Sequence, residues 1–219
     1  MSSRLIYPPK RLFFDPTLYL IANRPSFQDE HLFFSKVMQA VKGGVTCVQY
    51  RDHESDPINI LKTAALLRTM LKDVALFINT LKCFEVAQVV GADGVYLEEP
   101  FSYSEARKIL GQKQIIGIPA RSVSDVLALG QTTDVDYLSV KIGLSTRTCT
   151  KNYQIIEMEE VQKMCAASPY KIVLTGGQNL STVKVLSPEL RGVVGHAMAS
   201  GLMMAADVER TAQEIREAL

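Results

Sequence analysis

Gln49 and Arg51 stand two residues apart at the end of the run Val45-Thr46-Cys47-Val48. On an extended strand, residues two apart share a face. If Val45 and Cys47 face inward, an amide and a guanidinium project together. The arginine offers a planar, permanently charged fork that suits phosphate or carboxylate oxygens; its competing role is a structural clasp to Asp52, Glu98 or Glu99. Asn79 ends a second apolar run, Ala75-Leu76-Phe77-Ile78. Packing has no use for an amide there, so it serves a ligand or caps the following helix. Gly176-Gly177 follows Ile172-Val173-Leu174 and leads to Asn179 at a helix start. Such glycines let a phosphate approach N–H groups at the positive end of a helix, although glycine pairs also make plain turns. Glu98, Glu99, Arg121, Lys141 and Gly195-His196 fall at the ends of similar runs. His196 could hydrogen-bond a ligand or serve the wall of the fold.

These residues need elements that bring them together. Strand-like runs occur at 18–22, 45–50, 74–79, 94–98, 115–119, 137–141, 171–175 and 192–196. Amphipathic, helix-like stretches lie at 29–43, 57–72, 83–90, 102–110, 123–130, 158–167, 179–186 and 207–218. Strands joined through helices run parallel, because a crossover returns the chain to the same end of the sheet. Eight such units in 219 residues predict a single-domain α/β fold, a (β/α)8 TIM barrel. An open doubly wound sheet is the alternative; it usually has fewer strands at this length, and no glycine-rich nucleotide loop follows the first strand. In a barrel the carboxyl ends of the strands share one mouth, where the βα loops carry the chemistry. Asp56-Pro57 and Ser122 read as helix starts; Gly43-Gly44, Gly91 and Gly111 read as stops. The stretch 142–156, rich in Ser and Thr, is the longest loop and reads as a lid or binding loop. Residues 1–16, with Tyr7-Pro8-Pro9 and Pro16, are expected to form an arm or cover ahead of the barrel at 17–219.

Composition narrows the partners. Lys and Arg total 24 against 23 Asp and Glu, a net charge of +1, and the longest basic cluster is Lys10-Arg11. Nucleic-acid binders concentrate basic charge, so neither nucleic acid nor a membrane surface is expected as a partner. The four cysteines, Cys47, Cys83, Cys149 and Cys165, form no CxxC pair, and three sit in apolar segments as expected buried thiols. There is no secretory pattern at the start, and no apolar run approaches ~20 residues. A reduced, cytoplasmic compartment is the expectation.

From about residue 18 to the end, the chain resembles the thiamine-phosphate synthase family, which includes the related thiazole tautomerases. The anchors are Gly43-Gly44-Val45-Thr46-Cys47-Val48-Gln49-Tyr50-Arg51-Asp52, Phe77-Ile78-Asn79 and Gly91-Ala92-Asp93-Gly94-Val95-Tyr96-Leu97. Ile116-Gly117-Ile118, Ser145-Thr146-Arg147-Thr148 and Gly176-Gly177 follow in the family's order. The resemblance implies a transferase of thiamine biosynthesis: it joins an aminopyrimidine diphosphate to a thiazole phosphate and releases diphosphate with Mg²⁺ assistance. It implies that Gln49, Arg51, Asn79, Thr146 and Thr148 hold the pyrimidine or the diphosphate, with Arg51 and Asn79 serving catalysis. It places the thiazole phosphate on Gly176 and Gly177, near His196.

Several positions depart from the pattern. His53 stands where the family has lysine, and Thr80 and the neighbourhood of Phe101 stand where it has metal-binding aspartates. Pro119 and Ala197 replace serines. The loop lysine falls on Cys149, unless a short insertion brings in Lys151. Glu98 and Glu99 are then the nearest carboxylates for a magnesium ion. The tautomerase proton carrier corresponds to Arg121, which cannot shuttle protons at neutral pH. Three readings stay open: a divergent synthase, a non-catalytic or regulatory barrel that binds small phosphorylated ligands, and a thiazole tautomerase-like enzyme.

Overall fold

The alternation of runs resolves into eight strands with helices between them. In the computed structural model, which describes residues 14–98, 102–130, 132–142 and 157–219, the first half runs β1 (Leu18–Asn23), α1 (Glu30–Lys42), β2 (Cys47–Arg51), α2 (Pro57–Met70), β3 (Ala75–Asn79), α3 (Val86–Val89), β4 (Gly94–Tyr96) and α4 (Tyr103–Leu110). The second half runs β5 (Ile115–Ala120), α5 (Val123–Leu129), β6 (Tyr137–Lys141), α6 (Met158–Ala167), β7 (Lys171–Thr175), α7 (Leu180–Glu189), β8 (Val193–Met198), α8 (Ser200–Met203) and α9 (Val208–Ala218). The strands pair in sequence order and β8 returns to β1, closing a barrel. Every pairing is parallel. The chain is a single-domain (β/α)8 TIM barrel.

Helices start where a short polar side chain can take up the first free N–H groups. Asp56 accepts from the N–H of Ile58 and Asn59 ahead of Pro57, Ser122 accepts from Asp125, and Asn179 and Thr182 form a reciprocal capping box. The expected helix over 83–90 shrinks to Val86–Val89, because Glu85 at its start makes no side-chain cap. Two short pieces escaped the apolar pattern, a 3-10 turn at Arg24–Ser26 and α8. The expected loop at 142–156 lies, from residue 143 on, outside the described residues.

Alternation along the strands divides the core in two. Tyr19, Cys47, Phe77, Ile115, Tyr137, Val173 and Ala197 fill the barrel interior with Phe14. Their neighbours in sequence, among them Leu18, Val48, Leu76, Ile116, Leu138 and Leu174, pack outward against the helices. Cys47 faces inward as expected, whereas Val45 precedes β2 and belongs to the outer layer. Phe14 closes the amino-terminal end of the barrel, its ring 5.2 Å from that of Phe77 and 5.0 Å from that of Tyr137. Its carbonyl accepts from Lys171 Nζ at 2.9 Å. Residues 1–13 lie outside the described residues. Cys47 is fully buried, Cys83 and Cys165 are half-buried, and all three are free thiols. No helix among the described residues is long and apolar enough to cross a membrane.

The same clasp occurs twice at the amino-terminal ends of the strands. Arg68 on α2 binds Asp93 at 2.7 Å, and the same carboxylate oxygen accepts the N–H of Leu76 at 2.9 Å. Arg107 on α4 binds Asp136 at 2.6 Å, and that oxygen accepts the N–H of Ile116 at 2.8 Å. Arg107 also donates to the carbonyls of Gly111 and Gln114. Each clasp ties a helix, the turn after it and two adjacent strands into one unit.

Candidate active site

Register sets the mouth. Asn23 on β1, Arg51 on β2 and Asn79 on β3 are level partners across the sheet. They share the interior-facing parity of Tyr19, Cys47 and Phe77. Gln49 sits one layer below Arg51 on the same side.

Arg51 is held by three groups. Nη1 donates to Asn23 Oδ1 at 2.9 Å, Nη2 meets His53 Nδ1 at 3.4 Å, and Nε lies 3.8 Å from Glu98 Oε1. Glu98 Oε1 also accepts from Asn79 Nδ2 at 3.1 Å, and Asn79 Oδ1 meets His53 Nε2 at 2.9 Å. The directions around this ring follow from Glu98, a carboxylate that only accepts. It turns the Asn79 nitrogen toward itself and the Asn79 oxygen toward His53. His53 therefore carries its proton on Nε2 and offers the Nδ1 lone pair to Arg51. The guanidinium remains about one-third exposed, aimed where a ligand enters.

Asp52 takes no part in this ring. Its side chain turns outward, accepting from Tyr50 Oη at 3.0 Å and from the N–H groups of Glu54 and Ser55. Burial pushes its pKa up, but these donors together outweigh burial and hold it below the usual carboxylate range. Of the clasp partners considered for Arg51, only Glu98 is used among the described residues; Glu99 lies outside them. Nor does Asn79 cap a helix, since its amide is spent on His53 and Glu98.

On the far side of the mouth, Gly176 and Gly177 adopt φ values of 86° and 62°, open to glycine at little cost. A Cβ on Gly176 would press into the Ile142 carbonyl and lie 2.8 Å from Lys141 Cγ. The turn can thus lie close against the end of β6 only as glycine. It delivers the chain to α7, whose first-turn N–H groups at Leu180 and Ser181 have no carbonyl one turn earlier to bond. Arg121 follows β5, its own N–H bound by the Asp125 carboxylate at 2.7 Å. Thr146, Thr148 and Lys151 lie outside the described residues.

The strand position of His196 is a correction to the sequence reading, which had left its role open between a ligand contact and the wall. β8 extends to Met198, two residues past the expected end, so His196 lies within the strand rather than at its mouth end. It pairs level with Leu18 and Leu174, both outward-facing. The imidazole lies behind the glycine turn: Nδ1 meets Gln178 Oε1 at 3.0 Å, and Gln178 Nε2 donates to the Gly176 carbonyl at 3.3 Å. It steadies the turn without touching the mouth. Burial lowers its pKa from 6.5 to about 4. The unfolded chain therefore takes up this proton first as pH falls. The stability held above pH ~6.5 is lost on acidification toward pH 4, by about 3 kcal/mol. Denaturant midpoints measured between pH 7 and 4.5 should show this slope, and His196→Gln should flatten it.

A magnesium site needs carboxylates that are free to bind. Among the described residues no group of three His, Cys, Asp or Glu side chains is placed to hold a metal. The one described candidate, Glu98, is engaged with Arg51 and Asn79. Glu99 lies outside the described residues.

The sequence reading missed Asn23, Tyr19 and Tyr137. Asn23 had the same signal as Asn79, an amide after an apolar strand, and could have been found by it.

A family model for thiamine monophosphate synthase matches residues 18–202. The chain belongs to that family. The thiamine-phosphate synthase of Syntrophomonas wolfei is 29% identical over 204 residues, covering 93% of this chain and 96% of the relative. The thiamine-phosphate synthase 1 of Aquifex aeolicus is 31% identical, covering 92% of each. Among solved structures, a thiamine phosphate pyrophosphorylase from Pyrococcus furiosus superposes with a TM-score of 0.80 at 26% identity. It covers 94% of this chain and 96% of its own. Of the positions that the resemblance set apart, His53 and Thr80 lie on the loop after β2 and just past the end of β3. His53 is built into the Arg51 ring, and Thr80, next to Asn79 in sequence, is buried.

Proposed function

We propose that the chain is a divergent thiamine-phosphate synthase: it joins an aminopyrimidine diphosphate to a thiazole phosphate and releases diphosphate. The observation that carries this is Arg51, fixed by Asn23, His53 and Glu98 yet open to the mouth. In the reaction the bond from the pyrimidine methylene carbon to the diphosphate oxygen breaks, and diphosphate leaves with the electron pair. The thiazole nitrogen then forms the new C–N bond. Negative charge grows on the leaving oxygens, and a prepositioned guanidinium stabilises it more in the transition state than in the ground state. Asn79 turns the ring that holds Arg51, Gln49 receives the pyrimidine, and the Gly176-Gly177 turn with the start of α7 receives the second phosphate.

A second reading has one observation in its favour: the carboxylate at the mouth is engaged internally, which suits a phosphate-binding barrel without turnover. Purified protein with both precursors, with and without Mg²⁺, separates the two. A synthase releases diphosphate only when both precursors are present. A binder gains thermal stability with thiamine phosphate, about 2.7 kcal/mol at a hundredfold excess over Kd, and releases none. Turnover of the thiazole alone, without metal, would sink both.

A further inference from the structure

Beneath the mouth lies a pair of buried hydroxyls whose direction can be worked out. Tyr19 Oη is 3.2 Å from Gln49 Oε1 and 2.9 Å from Tyr137 Oη. Tyr19 and Tyr137 are each 1% exposed. Burial pushes both phenols well above their ordinary range, so both keep their protons. A buried O–H seeks an acceptor. If the Gln49 nitrogen pointed down to Tyr19, Tyr19 would have to donate to Tyr137. The Tyr137 hydrogen would then have no acceptor among the described residues, because Tyr19 is the one polar group that Tyr137 Oη meets there. In the opposite direction Tyr137 donates to Tyr19 and Tyr19 donates to the Gln49 carbonyl, so both hydrogens are used. Tyr137 has little freedom to escape this role. Its ring lies where a side chain on Gly117 would stand, and it packs against Phe14, Phe77 and Tyr96.

We propose that Tyr137 and Tyr19 are positioning residues that hold the Gln49 carbonyl down and turn its N–H2 into the mouth, so that the ligand part resting there is a hydrogen-bond acceptor, of the kind a heteroaromatic ring nitrogen supplies. The ligand side of this rests on the proposed synthase function; the direction of the pair rests on the barrel alone.

Two experiments test the parts separately. Neutron diffraction from perdeuterated, ligand-free crystals locates the hydrogens directly. The expected result is deuterium from Tyr19 on the Gln49 carbonyl and two deuteriums on the atom of Gln49 that faces the mouth; amide deuteriums toward Tyr19 overturn the proposal. The second experiment compares affinity for the aminopyrimidine diphosphate with that for an analogue carrying C–H in place of the ring nitrogen. Wild type should prefer the nitrogen ligand by roughly tenfold, since the analogue leaves a buried donor unmet. Tyr19→Phe frees the amide to turn, and the preference should fall to about twofold while the protein still melts cooperatively. Equal weakening of both ligands, with the ratio intact, would mean a merely structural role and overturn the assignment. If wild type binds neither ligand, the synthase reading fails and the neutron result alone decides the direction of the pair.

Discussion

Arg51→Ala is expected to lower kcat/KM for diphosphate release by about 10²–10³-fold, the effect of removing a donor aimed at developing negative charge. The guanidinium uses Nη1 on Asn23, Nη2 on His53 and Nε beside Glu98. A lysine ammonium cannot reproduce that planar fork, so Arg51→Lys should recover less than a tenth of the lost rate. Removing the charge also leaves Glu98 with Asn79 alone, a modest loss at a half-open position, where exposed ion pairs contribute roughly 0–1 kcal/mol. The variant should therefore fold, and steady-state kinetics beside a thermal melt should show a catalytic loss without collapse. Turnover within threefold of wild type would show that the working site lies elsewhere.

The second large effect concerns stability. Asp136→Ala should cost about 3–5 kcal/mol, because it takes the carboxylate partner from a buried guanidinium: Arg107 is 3% exposed and donates to Asp136 at 2.6 Å. The substitution also removes the acceptor for the Ile116 N–H. For a chain of this size, that loss lowers Tm by roughly 6–20 °C. Combining it with Arg107→Met removes the buried charge and should recover part of the loss, although the Gly111 and Gln114 carbonyls then lose their donor. Activity at low temperature should stay near wild type, since the clasp sits at the end of the barrel opposite the mouth. Differential scanning calorimetry of the single and double variants checks this; a single variant as stable as wild type would refute it.

Much of the architecture was legible because each strand is a short apolar run and most helices open on a capping residue. Arg51 and Asn79 were legible as mouth residues for the same reason: period-two alternation puts both on the inner face once the ring is closed. Glu98 was named beside Asp52 and Glu99 as a possible partner of Arg51, but the choice among them was not legible. Asp52 turns to the opposite face, as a neighbouring residue does, and Glu98 reaches Arg51 from beyond the end of β4. Nor were Asn23 and His53 foreseen as partners. His196 was misplaced because the expected run, 192–196, stops short of two further strand residues, Ala197 and Met198. An irregular register between β7 and β8 near Val173 adds to this. The Arg68–Asp93 and Arg107–Asp136 clasps join residues far apart in the chain, and local pattern carries no trace of such pairs.

The packed interior, with Phe14 beneath Tyr19, Phe77 and Tyr137, makes the barrel a cup with a single door. Under the synthase reading, two substrates enter and two products leave by that opening. A departing thiamine phosphate must clear the threshold before the next pyrimidine can settle. Inhibition by thiamine phosphate should accordingly be competitive with the aminopyrimidine diphosphate, a traffic rule written by the side chains that floor the barrel.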